Sequence, residues 1–209
     1  MIRPGGFLGT AFGTTADGDG RADRASRRAI SRSLGISERW AWVSQVHGVD
    51  IVDAAVPGEL GEADGIVTSV ENLPVTVATA DCVPVVLEGR GVAAVVHAGW
   101  RGTVAGVVEV MLAALSARGT PPHRAAIGPA IGPCCYEVGP EVAEEFAGHV
   151  TTTTWGTTSV DIPGAIAARL APLPVWRSRD CTFTSDELYS FRKDRTRRRQ
   201  VAVGWLPSN

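Results

Sequence analysis

Three side chains with the chemistry to bind a metal or attack a carbonyl stand at the ends of apolar runs in this chain. His47 closes "WAWVSQVH", Cys82 interrupts the β-branched runs of "PVTVATADCVPVVL", and His97 ends "GVAAVVH". Two imidazoles and a thiolate around an open fourth position make a zinc site of the catalytic kind. Their separations along the chain are far longer than those of a zinc finger, so only the fold can bring them together. The same atoms allow two other readings. Cys82 can act as a nucleophile with His97 as its base, and Asp81 or Asp64 would then orient the histidine. Alternatively, His/His/Cys suits copper, but a blue-copper centre adds a weak axial methionine. Only Met1 and Met111 exist, and Met111 falls well inside a helical stretch beyond His97. The plainest reading makes all three buried, satisfied side chains. His123 and His149 sit in loop-like contexts and read as surface residues.

The turn "HAGWRG" at 97–102 carries more chemistry than a chain reversal needs. Gly99 and Gly102 let backbone come close, and a helix starting near Thr103 would aim N–H groups back at the site, where anions are stabilised. Arg101 can add a bidentate grip on an anion. Trp100 offers a flat face for a base or sugar. In the structural alternative, Trp100 packs in the core and Arg101 pairs with an acid.

These residues need elements to hold them. Residues 21–34 have helical spacing and stop at Gly35, a C′ residue. "WAWVSQV" meets "HGVDIV" and predicts a strand that bends at His47–Gly48 and continues. "PVTVATA", "VPVVL" and "GVAAVVH" read as strands, the last apolar on both faces and therefore central in a sheet. From Val104, the apolar spacing Val107, Val108, Met111, Leu112, Leu115 predicts one amphipathic helix closed by Gly119 and Pro121–Pro122. "RAAIGPAIG" reads as a strand breaking into a Gly/Pro loop, "TTTTWGTT" at 151–158 as an extended or loop segment. "GPEVAEEFAG" and "DIPGAIAARLA" read as helices, and "QVAVGWL" as a last strand. Strands outnumber helices in mixed order, giving a mixed α/β fold.

The 209 residues suit a single domain, with 44% hydrophobic content and a net charge of −2. That balance excludes bulk electrostatic attraction to nucleic acid or membrane. No apolar run reaches the ~18 residues of a bilayer span, and "MIRPGGFLGT" lacks signal-peptide architecture. A cytoplasmic location is expected, with Cys82, Cys134, Cys135 and Cys181 reduced. Adjacent Cys134 and Cys135 are given no chemistry. The basic run "RKDRTRRR" at 192–199 reads as a solvated face, with phosphate recognition as the alternative.

"QVHG" at 45–48, "ADGIVT" at 63–68, "TADCVPVVL" at 79–87, "HAGWRG" at 97–102 and "IGPAIGPCCYEVGPEV" at 127–142 follow in order, with "CTF" at 181–183 and "YSFRKD" at 189–194. Together they closely resemble the laccase-domain family over residues 40 to 205. Its members are described as peptidoglycan-editing factors, polyphenol oxidases or purine nucleoside phosphorylases. The resemblance implies a single laccase-domain-like domain over residues 1–209, an α/β mixed-sheet sandwich with flanking helices also found in cytotoxic necrotizing factor toxins. It implies zinc, with copper less favoured, on His47, Cys82 and His97. It further implies phosphorolysis of adenosine, inosine, guanosine or methylthioadenosine, and deamination of adenosine at the same site. The partners are then a purine nucleoside and phosphate, with Asp81, Trp100, Arg101 and Arg192 as candidate substrate-binding residues and the last two for the anion. The toxin relation keeps a Cys/His amidohydrolase in view, and a non-catalytic metal-binding protein is the remaining alternative. Residues 1–39 are shortened and divergent. Where family members carry a phenylalanine–serine–threonine–arginine segment and two glycines, this chain has "GTAFGTTADGDGR", with no arginine in that position. The departure bears on phosphate more than on metal.

Overall fold

The computed structural model describes residues 1–208. The first half of the chain forms β1 (Thr10–Phe12), α1 (Arg24–Leu34), β2 (Ala41–Ser44), β3 (Ile51–Asp53), β4 (Gly58–Glu62), β5 (Gly65–Thr68), β6 (Val75–Thr79), β7 (Val83–Gly89) and β8 (Val92–Ala98). There follow α2 (Trp100–Val104), α3 (Val107–Ala117), β9 (Pro122–Ile127), α4 (Pro140–Glu145), β10 (Val150–Thr152) and β11 (Thr158–Val160). The last elements are α5 (Ile162–Leu170), β12 (Val175–Arg177), α6 (Phe191–Asp194) and β13 (Gln200–Gly204).

Two mixed sheets carry the architecture, a five-stranded one in the order β1-β13-β6-β2-β4 and a six-stranded one in the order β12-β9-β7-β8-β5-β3. Period-two alternation decides what each face meets. Along β6, Val75 and Val77 face one apolar cluster with Val86 and Val95 of the other sheet, whereas Ala78 turns to the opposite side. The two sheets therefore pack face to face. The outer face of the five-stranded sheet packs on Ile30 of α1 and on Trp40. The outer face of the six-stranded sheet, through Val85, Leu87, Ala94 and Val96, packs on Val108, Met111 and Leu115 of α3 and Ile166 of α5. The result is a sandwich flanked by helices, as expected, and β8 lies inside its sheet with every residue buried.

Helix α1 is started by Asp23, whose side chain accepts from the Ala25 and Ser26 N–H groups, and ended by left-handed Gly35. Two sequence expectations change. The helix predicted from Val104 begins earlier, at Trp100, and is broken into α2 and α3 by Gly106 at φ 88°. A left-handed residue cannot continue the i→i−4 ladder. The strand predicted to bend at His47 and continue does not do so either: β2 belongs to the five-stranded sheet and β3 to the six-stranded one. The N–H groups between them bond to a carboxylate instead of a neighbouring strand. "TTTTWGTT" forms the end of β10, the hairpin turn and the start of β11. Among the described residues no helix is long and apolar enough to cross a membrane.

Candidate metal centre

The chain passes from the five-stranded to the six-stranded sheet between β2 and β3 and again between β6 and β7. His47 lies in the first crossover and Cys82 in the second; His97 is the penultimate residue of β8, alongside them. The fold thus gathers three residues that are distant in sequence. Their ligand atoms all lie within 4.8 Å of one another. Cys82 Sγ is 3.8 Å from His47 Nε2, and the two imidazoles meet edge to face with centroids 4.8 Å apart. His97 is buried, Cys82 half-buried and His47 exposed, so the cluster opens to solvent on the His47 side.

Asp64 holds this arrangement in place. It is fully buried, and its carboxylate accepts from the N–H groups of Val46 (3.2 Å), His47 (3.0 Å) and Gly48 (2.6 Å). His97 Nδ1 lies 2.7 Å from Asp64 Oδ1, which leaves Nε2 as the free nitrogen of that ring. A carboxylate behind a ligating histidine fixes its ring orientation and tautomer and raises its basicity. The donor set therefore fits a resident metal ion: two imidazoles, one thiol, a supporting carboxylate, and room for a reactant.

Burial pulls the His97 imidazole down, but the hydrogen bonds and charges of Asp64 and Cys82 outweigh it and hold the ring up at about 9. Burial pushes the Cys82 thiol up, and the hydrogen bonds and charges of the two imidazoles reverse this, leaving it at about 6. For Asp64, burial raises the carboxyl, whereas His97 and the Gly48 and His47 N–H groups bring it below the ordinary carboxylate range. Cys82 is thus a thiolate at neutral pH, the form that ligates or attacks.

The glycines of "HAGWRG" have the expected purpose. A Cβ on Gly99 would stand 2.7 Å from His47 Cδ2 and 3.3 Å from Cys82 Sγ, and one on Gly102 would stand 3.0 Å from the Gly48 carbonyl oxygen. Both crossovers also use left-handed backbone on residues with a Cβ, His47 at φ 62° and Asp81 at φ 100°. Such conformations persist only where surroundings over-determine them.

Asp64, not Asp81, orients the histidine. Asp81 lines the cleft, but its Oδ1 accepts from the Thr182 hydroxyl (2.6 Å) and its Oδ2 from the Arg192 N–H (2.6 Å). It braces the 181–192 segment against the second crossover. The Arg192 guanidinium donates to the Glu137 carbonyl at 2.9 Å and stacks 5.0 Å over Tyr136. It stands in the wall of the site, outside the cleft beside His47. Trp100 is half-buried, packs on the core and also lines the cleft. Arg101 pairs with the Trp100 ring, 4.4 Å from its centroid, instead of with an acid.

Two chambers meet at His47 and Cys82. The smaller, about 90 Å³, is walled by Trp100, Arg101, Ile131 and Tyr136. The larger, about 360 Å³, is walled by Arg21, Gln45, Thr79, Phe191 and Arg199. Sequence reading missed these residues. Arg21 belongs to the divergent N-terminal segment and Arg199 to the basic run taken as a solvated face. One carboxylate places both: Asp19 accepts from the Arg21 N–H (3.2 Å) and the Arg199 N–H (3.0 Å). Among the described residues the Thr79 hydroxyl is buried with no hydrogen-bond partner, a group that asks for a ligand. Tyr136 is held up at about 12, mainly by burial, and so remains a neutral O–H donor.

Sheets, crossovers and donor set define a mixed α/β protein with a cluster of soft donors able to hold a metal ion at the seam of a sandwich. The chain belongs to the family described as multi-copper polyphenol oxidoreductase laccase, whose model matches residues 5–207 and takes in the N-terminal segment. It is 39% identical to a Streptomyces griseus protein named purine nucleoside phosphorylase, over 95% of this chain and 86% of that one. A Streptomyces coelicolor protein of the same name is 38% identical, over 95% and 87% respectively. Among solved structures, the Bacillus licheniformis hypothetical protein YfiH superposes with a TM-score of 0.79 at 26% identity, covering 89% of this chain and 82% of that one.

Proposed function

We propose that this chain is a zinc-dependent purine nucleoside phosphorylase with His47, Cys82 and His97 as the ligands. The observation that carries the proposal is the pair of unlike chambers meeting at one ligand cluster, one aromatic and one lined with arginines. The names borne by the Streptomyces relatives support it.

In phosphorolysis a phosphate oxygen bonds to ribose C1′ as the bond from C1′ to the purine nitrogen breaks, and the purine leaves carrying a proton. Arg21 and Arg199, with the Thr79 hydroxyl, hold the phosphate in the larger chamber; arginine suits this bidentate task. Trp100 and Tyr136 flank the purine in the smaller chamber, and the neutral Tyr136 O–H donates to a ring nitrogen or carbonyl of the leaving base. Asp64 keeps the His97 ring aimed throughout. When bound, zinc supplies Lewis-acid polarisation of a substrate heteroatom. The arginine absent from the usual N-terminal position is replaced in this reading by Arg21, further along the same segment.

The donor set favours zinc over copper oxidation chemistry. A blue-copper centre adds an axial methionine, and Met111 is buried in the core on the inner face of α3 instead. Cys82 as nucleophile is the second reading, favoured by the depressed thiol and the Asp64–His97 pair. Incubation of the zinc-loaded protein with inosine, with and without phosphate, separates these. Hypoxanthine and ribose 1-phosphate formed only with phosphate support phosphorolysis, while ammonia from adenosine in the parallel reaction marks deamination. An absence of turnover on any nucleoside contradicts the proposal.

A further inference from the structure

A second cluster of soft donors lies outside the cleft. The sulfurs of Cys134, Cys135 and Cys181 all lie within 4.8 Å of one another, with Cys134 Sγ and Cys135 Sγ 3.2 Å apart. None is in a disulfide. Sulfurs sharing one ion with ~2.3 Å metal–sulfur bonds stand about 4 Å apart, so the cluster is close to that spacing before any ion binds.

The backbone is shaped around these sulfurs. Residue 181 bridges to Ala130 in parallel pairing, which brings a segment distant in sequence against the Cys134–Cys135 turn. The Gly132 N–H donates to Cys181 Sγ at 3.1 Å, an interaction that favours a thiolate. A Cβ on Gly132 would stand 3.3 Å from Cys134 Sγ and 3.5 Å from Cys181 Sγ, so the residue that turns the chain here leaves its space to sulfur. Cys134 and Cys181 line an open cleft of about 570 Å³, giving an ion a way in. Arg179 on the same cleft offsets part of the net negative charge that three thiolates leave around a monovalent or divalent cation, Arg177 being paired with Asp161 and Asp180 lining the cleft as well.

We propose that Cys134, Cys135 and Cys181 form a second, all-sulfur site for a thiophilic cation, zinc or monovalent copper. Three thiolates with no oxygen donor select such ions over magnesium or calcium. Binding displaces one proton from each thiol that is still protonated and forms three metal–sulfur bonds, with no change of oxidation state. The site sits behind the wall of the smaller chamber. Ile131, whose N–H donates to the Asp81 carbonyl at 2.9 Å, and Tyr136 belong to the same turn and line that chamber. Thr182, next to Cys181, donates to the Asp81 carboxylate. An ion on the sulfurs therefore fastens the wall that faces the first centre. With Cys82 in the first centre, all four cysteines of the chain become ligands.

The test is metal stoichiometry on fully reduced protein, loaded anaerobically with zinc in one arm and monovalent copper in the other. Wild type is expected to hold two ions per chain in at least one arm. Cys134→Ser/Cys181→Ser is expected to hold one, and His47→Ala/His97→Ala to keep one and to melt higher with it than without. Failure of the first centre alone would still leave one ion that the double serine variant loses. Cadmium titration of wild type, read from the thiolate-to-metal charge-transfer band, guards against a variant that does not fold. Four thiolates bound per chain support the proposal. A single ion on wild type in both arms, with one thiolate bound to cadmium, overturns it.

Discussion

Asp64 Oδ1 lies 2.7 Å from His97 Nδ1, and the same carboxylate gathers three N–H groups of the loop that carries His47. One buried side chain thus sets the positions of two ligands on different elements. Asp64→Asn keeps the shape but removes the charge and an acceptor. Loss of such a supporting partner lowers metal affinity by about 10–100-fold. Competition with a zinc chelator measures this; an unchanged affinity would remove Asp64 from the account.

Gly99 is the closest backbone approach to the cluster. In Gly99→Ala the new Cβ would stand 2.7 Å from His47 Cδ2 and push the imidazole off its position. Overpacking of this sort costs ~1–3 kcal/mol. Metal affinity and turnover are expected to fall together while the circular dichroism spectrum stays native. Gly5→Ala, outside both chambers, with nothing near its Cβ and, like Gly99, outside the left-handed region, supplies the control for the glycine-to-alanine change alone.

In the metal-free chain the cluster should hold stability level across neutral pH. His97, raised from 6.5 to about 9, contributes its stability in full below 6.5 and loses it as pH rises through 9. Cys82, lowered from 9.0 to about 6, contributes in full above 9.0 and loses it as pH falls through 6. Between about 6.5 and 9 the fall of the first and the rise of the second cancel, so the melting temperature should change little with pH across that range. Cys82→Ala removes the compensating rise, so in thermal scans of the chelator-treated variant stability should fall as pH rises above about 6.5, and alkylation of Cys82 in the wild type should turn on near pH 6.

Arg21 and Arg199 face the larger chamber. If they hold phosphate, each alanine variant raises the KM for phosphate and leaves the KM for inosine within about twofold. A hydrogen bond to a charged group is worth ~1.5–3 kcal/mol, or about 10–100-fold. Arg192→Ala, outside the chamber, should leave the phosphate KM near the wild-type value. Equal effects of all three variants would contradict the assignment of the chamber.

Much of this site was legible because its ligands end apolar runs. A histidine or cysteine closing a β-branched stretch has a local signature, and the two glycines after His97 announced the close approach now seen at His47. The mixed α/β class also followed from the order of strands and helices, whereas the sandwich was an implication of the family resemblance and not of any alternation in β6, β7 or β8. Sheet membership had no local signal: "WAWVSQVHGVDIV" reads as one bent strand, because the residue that diverts the chain is Asp64, far along the sequence. The same is true of Arg21 and Arg199. Each belongs to a polar, irregular stretch, and only Asp19, bonding to both backbones, turns them toward one chamber. The Cys134–Cys135 pair looked inert because its third partner, Cys181, arrives through a pairing with Ala130 that no periodicity announces.

Anomalous diffraction from zinc-loaded crystals at the zinc edge tests directly whether His47, Cys82 and His97 share one ion. The expected result is a peak with Cys82 Sγ at ~2.3 Å and the His47 and His97 Nε2 atoms at ~2.0–2.1 Å, with a fourth position open to solvent or substrate. A zinc-loaded, active crystal with no peak between these three residues would contradict the account.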